Sequence, residues 1–257
     1  MRINSIKDLT LTSVLTAIML VMIFVPFLGF IPLGALSLTL IHIPVLIGVF
    51  LLPSRYAIFL GFMFGAGSWI RAIILPQTPI DPAFQNPLVS VLPRVLFVIG
   101  AILLFKLFKW IESNVKNFDR WFFLLVSILS SLVLYYGFQA ISDQVGWTFA
   151  RWVPFVIIGS AVLIETYQNF IKNKKINEII YPSVLLVSTM FHTLIVLSSL
   201  VIFEQRFLVE ELLIEDFLGV IYAVAMTNGM LESLLAALIG TPIILALKQL
   251  KNRNEMS

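Results

Sequence analysis

Four polar side chains stand in or beside stretches that are otherwise apolar enough for hydrocarbon: Arg94, Asn86, Asn228 and Glu232. An ionisable group inside a membrane segment is costly and points to function unless a partner neutralises it. Arg94 ends the string Asn86-Pro-Leu-Val-Ser-Val-Leu-Pro-Arg94. Pro93 has no N–H, so it releases a backbone carbonyl one turn earlier and bends the helix. A guanidinium at that bend can fork onto a carboxylate ligand, or it can serve structure by snorkelling or internal pairing. Asn228 and Glu232 are four residues apart, hence on one helix face. Together they offer donors and an acceptor to a polar ligand, and Gly229 beside them allows close backbone approach. The structural alternative is that Glu232 neutralises Arg94 or Arg71. Arg71 and Trp69 lie toward the outer end of an apolar stretch, where Arg71 faces either a pocket or headgroups and Trp69 fits an interfacial aromatic belt. His42 and His192 are isolated in apolar surroundings and read as packing residues.

The elements that hold these groups follow from composition. The chain has 257 residues, 60% hydrophobic and 12% charged, with a mean hydropathy of +1.01. A soluble domain is about half apolar and about a quarter charged, so an integral membrane protein of all-α class is expected. With no Cys and only 2 His, disulfides, thiol nucleophiles and a His-rich metal centre are excluded. No phosphate-cradling glycine loop, nucleophile elbow or paired intramembrane aspartate occurs. The chain is therefore not expected to be an enzyme, and no cofactor or metal is expected.

A crossing helix needs about 20 apolar residues. Candidate spans are Leu9–Leu28, Leu36–Leu52, Ala57–Leu75, Leu88–Phe108, Trp121–Phe138, Val153–Phe170, Pro182–Phe203 and Phe217–Leu247, the last long enough to break near Asn228-Gly229. Pro76–Pro87, Ala140–Arg151 and the acidic segment Glu204–Asp216 read as loops. With the N-terminus inside, 13 of the 17 Lys and Arg fall on the inner side, Lys116, Lys174 and Lys175 among them, and 4 (Arg71, Arg94, Arg151, Arg206) on the outer side. That bias favours a cell-membrane protein with both termini in the cytoplasm. Ser13 and Ala17, four apart on the first span, make a small-residue face of the kind that lets helices approach closely.

Three strings carry a family resemblance. Phe24-Val-Pro-Phe-Leu-Gly-Phe-Ile-Pro-Leu-Gly34 with Thr39-Leu-Ile-His-Ile-Pro-Val-Leu-Ile-Gly48 is the first, and Asn86–Arg94 is the second. The third is Asn228-Gly-Met-Leu-Glu-Ser-Leu-Leu-Ala-Ala-Leu-Ile-Gly-Thr-Pro-Ile243 with the basic Lys248–Lys251. They resemble a substrate-binding S component of an energy-coupling factor (ECF) vitamin transporter, most of all the pantothenate-type S components. The resemblance implies a single domain over 1–257: a bundle of six transmembrane helices that binds a vitamin near the outer face, beside a transmembrane T component and two cytoplasmic ATPases. It implies a partner-coupling role for Ser13-xxx-Ala17, where the family signature is Ala-xxx-Ala. It also makes residues 121–170 an inserted helical hairpin, for eight spans in all. The residues that would meet the vitamin are Arg94, Asn86, Asn228, Glu232, Arg71 and Trp69. Riboflavin or another vitamin as cargo, a stand-alone facilitator, and an enzyme acting on lipid are the alternatives.

Overall fold

The structure is a computed structural model that describes residues 2–33, 36–115, 118–172, 180–214 and 216–256. Lys116, Lys174 and Lys175 of the inner-side charge bias, and Gly34 of the first resemblance string, lie outside the described residues. The elements in chain order are α1 (Arg2–Phe24), strands β1 (Phe30–Leu33) and β2 (Leu36–Thr39), α2 (His42–Leu51), α3 (Ser54–Ile74), a 3₁₀ turn (Asp81–Gln85), α4 (Pro87–Ser90) and α5 (Leu92–Asn114). After these come α6 (Phe118–Val145), α7 (Phe149–Lys172), α8 (Ile180–Phe203), α9 (Gln205–Glu210), α10 (Phe217–Val224), a π turn (Ala225–Gly229) and α11 (Met230–Met256).

Among the described residues, five helices are long and apolar enough to cross a membrane: Ile6–Phe24, Ser54–Ile74, Pro87–Asn114, Ile180–Phe203 and Met230–Leu250. The expected second span, Leu36–Leu52, is corrected. Its first four residues are a strand, antiparallel to β1 with Phe30 opposite Thr39 and Leu33 opposite Leu36. The sequence Leu36-Ser-Leu-Thr39 alternates apolar and polar residues, which is the strand period rather than the helical one. The helical remainder, α2, is short, yet every residue from His42 to Val49 is buried. The loops expected at Pro76–Pro87 and Glu204–Asp216 each contain a short helical turn, and α6 runs six residues into the expected loop Ala140–Arg151.

The main core joins α1, α2, α3, α5, α8 and α11 through side chains such as Met19, Leu46, Phe64, Phe97, Leu185 and Ile244, all fully enclosed. In hydrocarbon, helices gain little from excluding water and associate mainly by close packing, which small residues permit. Gly65 on α3 shows this directly. A Cβ there would lie 2.7 Å from Val91 Cα and 3.1 Å from the Ser90 carbonyl oxygen, so only glycine admits α4 and the start of α5 at this distance. Outside the main core, α6 and α7 pack on each other through Leu134, Trp152 and Val156, and reach α11 at Leu234. A third cluster, Ile80, Ala83, Val89, Leu200 and Leu208, gathers the 3₁₀ turn, α4, the end of α8 and α9 at one end of the bundle.

Candidate functional site

Beneath that end cluster lies a cavity of about 750 Å³, walled by α3, α5, α8, the π turn and α11 and roofed by Phe30, Thr39, Thr78, Ile80, Asp81 and Phe84. Arg94, Arg71, Asn228 and Glu232 all line it. Four of the six residues expected to meet a ligand are thus brought together: Arg71 from α3, Arg94 from α5, and Asn228 and Glu232 from the adjoining π turn and α11.

Arg94 is 4% exposed. Its Nη1 donates to the Val89 carbonyl at 2.6 Å. Val89 stands four residues before Pro93, so its carbonyl is the one that the missing proline N–H would have met. The side chain repairs the gap that its neighbour creates. A guanidinium has five donors, so this bond leaves most of the fork for other use, and Arg94 Nε has no partner among the described residues. Its Cζ sits 5.6 Å from the Phe64 ring and 5.2 Å from the Phe84 ring.

Glu232 is also 4% exposed. Its Oε1 accepts from the Thr39 backbone N–H at 2.5 Å and its Oε2 from the Thr193 hydroxyl at 3.3 Å. Among the described residues no ion pair within 4.0 Å joins it to Arg94 or Arg71, although the Glu232 and Arg94 charges still act on each other at longer range. Its carboxylate instead faces the cavity while tying β2 to α11. The expected break near Asn228-Gly229 takes the form of a π turn, a wider turn found often at functional sites. That turn places Asn228 in the cavity wall. A Cβ on Gly229 would sit 3.1 Å from Thr193 Cγ2, so the glycine lets α8 come close behind it.

Arg71 is more committed. Its Nη2 donates to Gln77 Oε1, its Nη1 is 4.0 Å from Asp81 Oδ2, and its Cζ lies 4.1 Å over the Phe30 ring. Asp81 in turn accepts from the Gln77 and Thr78 backbone N–H groups and from the Thr78 hydroxyl. Arg71 therefore anchors the roof and edges the cavity. Asn86 and Trp69 do not line the cavity. Asn86 caps α4, accepting from Leu88 N–H at 2.9 Å, and donates to Glu204 Oε1 at 2.7 Å. Trp69 Nε1 donates to the Gln85 carbonyl at 2.8 Å, which fixes the 3₁₀ turn to α3. Sequence reasoning missed Thr39, Ser68, Thr78, Asp81 and Thr193 as site residues and read His192 as packing, although all six line the cavity. Ser68 and Thr193 are uncharged hydroxyl residues in apolar helices, where the burial cost is too small to mark them, while Thr39, Thr78 and Asp81 lie in a strand, a loop and a 3₁₀ turn, where polar residues are ordinary.

Ser13 and Ala17 lie elsewhere, exposed on α1. They border a groove of about 1,040 Å³ with Thr12, Thr16, Leu20, Arg55, Tyr56 and Phe59. The Ser13 and Thr16 hydroxyls bond back to the carbonyls of Leu9 and Thr12 at 2.9 and 2.8 Å, and Thr12 does the same with Asp8 at 2.7 Å. The small residues thus present a face with its polar groups already satisfied.

Comparison with known proteins agrees with this arrangement. Residues 7–153 match the family model described as ECF transporter, substrate-specific component. A curated relative, the pantothenate transporter PanT of Leuconostoc mesenteroides subsp. mesenteroides, is 34% identical over 119 residues. The match covers 45% of this chain and 56% of the relative, so it spans just over half of that protein's length. A cavity set among apolar helices, and a match over more than half of the residues, lead to one family: the chain belongs to the substrate-specific components of ECF transporters, membrane-embedded substrate-binding subunits rather than enzymes.

Proposed function

We propose that this chain binds pantothenate for an ATP-driven ECF importer. One observation carries the reading: Arg94, Asn228 and Glu232 share a single apolar-walled cavity with hydroxyls from Ser68, Thr39 and Thr193. Pantothenate has one carboxylate, one amide and two hydroxyls. A free guanidinium edge suits the carboxylate, and a carboxylate, an amide and hydroxyls suit the rest. The printed name of the Leuconostoc relative supports the same cargo. Arg71 and its roof loop close the site above. Concentrating the vitamin requires an energy source, and no nucleotide motif is present in the sequence. The reading therefore includes a transmembrane T component and two cytoplasmic ATPases as partners, with the Ser13–Ala17 face as the coupling surface. It also includes both termini in the cytoplasm, with α6 and α7 as a hairpin inserted into a six-helix plan within one domain.

The test is uptake of labelled pantothenate by cells that express this chain with and without an ECF T component and its ATPases. Accumulation only with the module is the expected result. Accumulation without it makes the chain a facilitator, and competition by riboflavin but not by excess pantothenate overturns the cargo.

A further inference from the structure

Two buried histidines play no part in the reading above. His192, on α8, is 4% exposed and lines the cavity. His42, at the start of α2, is fully enclosed, and the two rings stack with centroids 5.8 Å apart at 24°. Neither ring nitrogen of His192 has a hydrogen-bond partner among the described residues, whereas His42 has the Thr39 backbone beside it. A buried polar group left without a partner is destabilising, and native proteins rarely tolerate several together. His42 does not line the cavity, whereas His192 does.

The position of His192 narrows what that ligand group is. Phe64 is a shared neighbour: the His192 ring centroid is 5.6 Å from it and Arg94 Cζ is also 5.6 Å from it. Phe97, one turn along α5 from Arg94, holds the other side of the imidazole at 4.8 Å. The imidazole and the guanidinium thus border one region of the cavity, each with an unused N–H capacity. On the opposite side, Glu232 and Thr193 already bond each other. A neutral imidazole offers one donor and one acceptor. Beside a permanent cation, the donor is the useful half toward an anion.

We infer that His192 and Arg94 together form the anion-binding pole of the cavity, with His192 donating a second hydrogen bond to the ligand carboxylate and so selecting an anionic ligand over a neutral one. This rests on the pantothenate reading, and the test separates the two. Binding of pantothenate and of pantothenol, in which a hydroxymethyl group replaces the carboxylate, is measured by calorimetry on purified wild-type, His192→Phe and His192→Asn proteins. Phe keeps the aromatic stack on Phe64, Phe97 and His42 but donates nothing, whereas Asn keeps a donor. His192→Phe is expected to weaken pantothenate roughly tenfold to a hundredfold, the value of a hydrogen bond to a charged group, and to change pantothenol about threefold or less. His192→Asn is expected to recover part of the preference. An equal loss for both ligands, or no loss for pantothenate, overturns the inference and leaves the cargo reading standing. Failure of the wild-type protein to bind pantothenate overturns both.

A second measurement needs no variant. The chain has 2 His in all, so untagged protein labelled with ¹⁵N-histidine gives signals from His42 and His192 alone. Pantothenate is expected to move the signal of the cavity histidine and pantothenol to leave it nearly in place. Equal responses to the two ligands, or none to pantothenate in protein shown to bind it, overturn the inference.

Discussion

Arg94→Met is the sharpest test of how one side chain serves both the fold and the ligand. Methionine fills much of the same channel between Phe64 and Phe84 but removes every donor. Two losses follow. The Val89 carbonyl, which Arg94 Nη1 meets at 2.6 Å, loses its partner in a place where Pro93 cannot supply one; an orphaned buried acceptor costs about 1–3 kcal/mol of stability. The ligand loses a charge-assisted contact worth about 1.5–3 kcal/mol, a factor of roughly ten to a hundred in Kd. Arg94→Lys separates the two effects, since an ammonium keeps the charge but not the planar fork, and is expected to fall between wild type and Met in affinity. Calorimetry with pantothenate gives the affinities, and thermal melting in the same detergent gives the stabilities. Unchanged affinity with a lowered melting point would show that Arg94 is only a staple for Val89. A large affinity loss with an unchanged melting point would show that the Val89 bond adds nothing to the fold.

Three further outcomes can be checked together. Ser13→Leu with Ala17→Leu is expected to leave pantothenate affinity unchanged and to abolish co-purification with the T component and ATPases, because bulky side chains on the α1 groove hold a partner helix away; normal co-purification would place the coupling face elsewhere. Gly65→Ala puts a Cβ 2.7 Å from the backbone of Val91, so melting is expected to show a loss of about 1–3 kcal/mol typical of overpacking, and an unchanged melting point would mean that α4 and α5 shift freely. Asn86→Ala removes the α4 cap and the contact with Glu204, with an expected loss of about 0.5–2 kcal/mol in stability and a change in pantothenate Kd of about twofold or less; a tenfold weakening would return Asn86 to the binding site.

The residues legible in the sequence were those whose cost in hydrocarbon is high. Arg94 and Glu232 stood out because a charge in an apolar helix needs a reason, and Pro93 and Gly229 announced backbone irregularities that the structure turns into the Val89 bond and the π turn. Asn86 and Trp69 stand outside the cavity lining, since polar residues at the end of a span serve caps and loop anchors as readily as ligands. The partners that decide the matter, Glu204 for Asn86 and the Gln85 carbonyl for Trp69, are fixed by how the loops fold together. The β1–β2 hairpin was hidden for a related reason. Its four-residue alternation, Leu36 to Thr39, sits directly before a buried helix, and a hydropathy window averages the two into one span.

The same comparison explains why the site could be found without its full lining. Three charged groups in the cavity are fixed by different parts of the chain: Arg94 by the carbonyl that Pro93 left open, Glu232 by the Thr39 N–H and the Thr193 hydroxyl, Arg71 by the roof loop. Charges within the apolar helices therefore mark the site, while its shape depends on neutral residues, and on Asp81 in the roof, that reveal themselves only in contact. Glu232 makes the dependence concrete. Its Oε1 is held by a backbone N–H on the strand that leads directly into α2, so the carboxylate is aimed by the β hairpin as much as by its own helix. A substitution in β2 that shifts the Thr39 N–H would thus misdirect the acid without altering any charged residue. The chemistry of this cavity belongs to the packing of the hairpin onto α11 as well as to the residues that a reader of the sequence would choose.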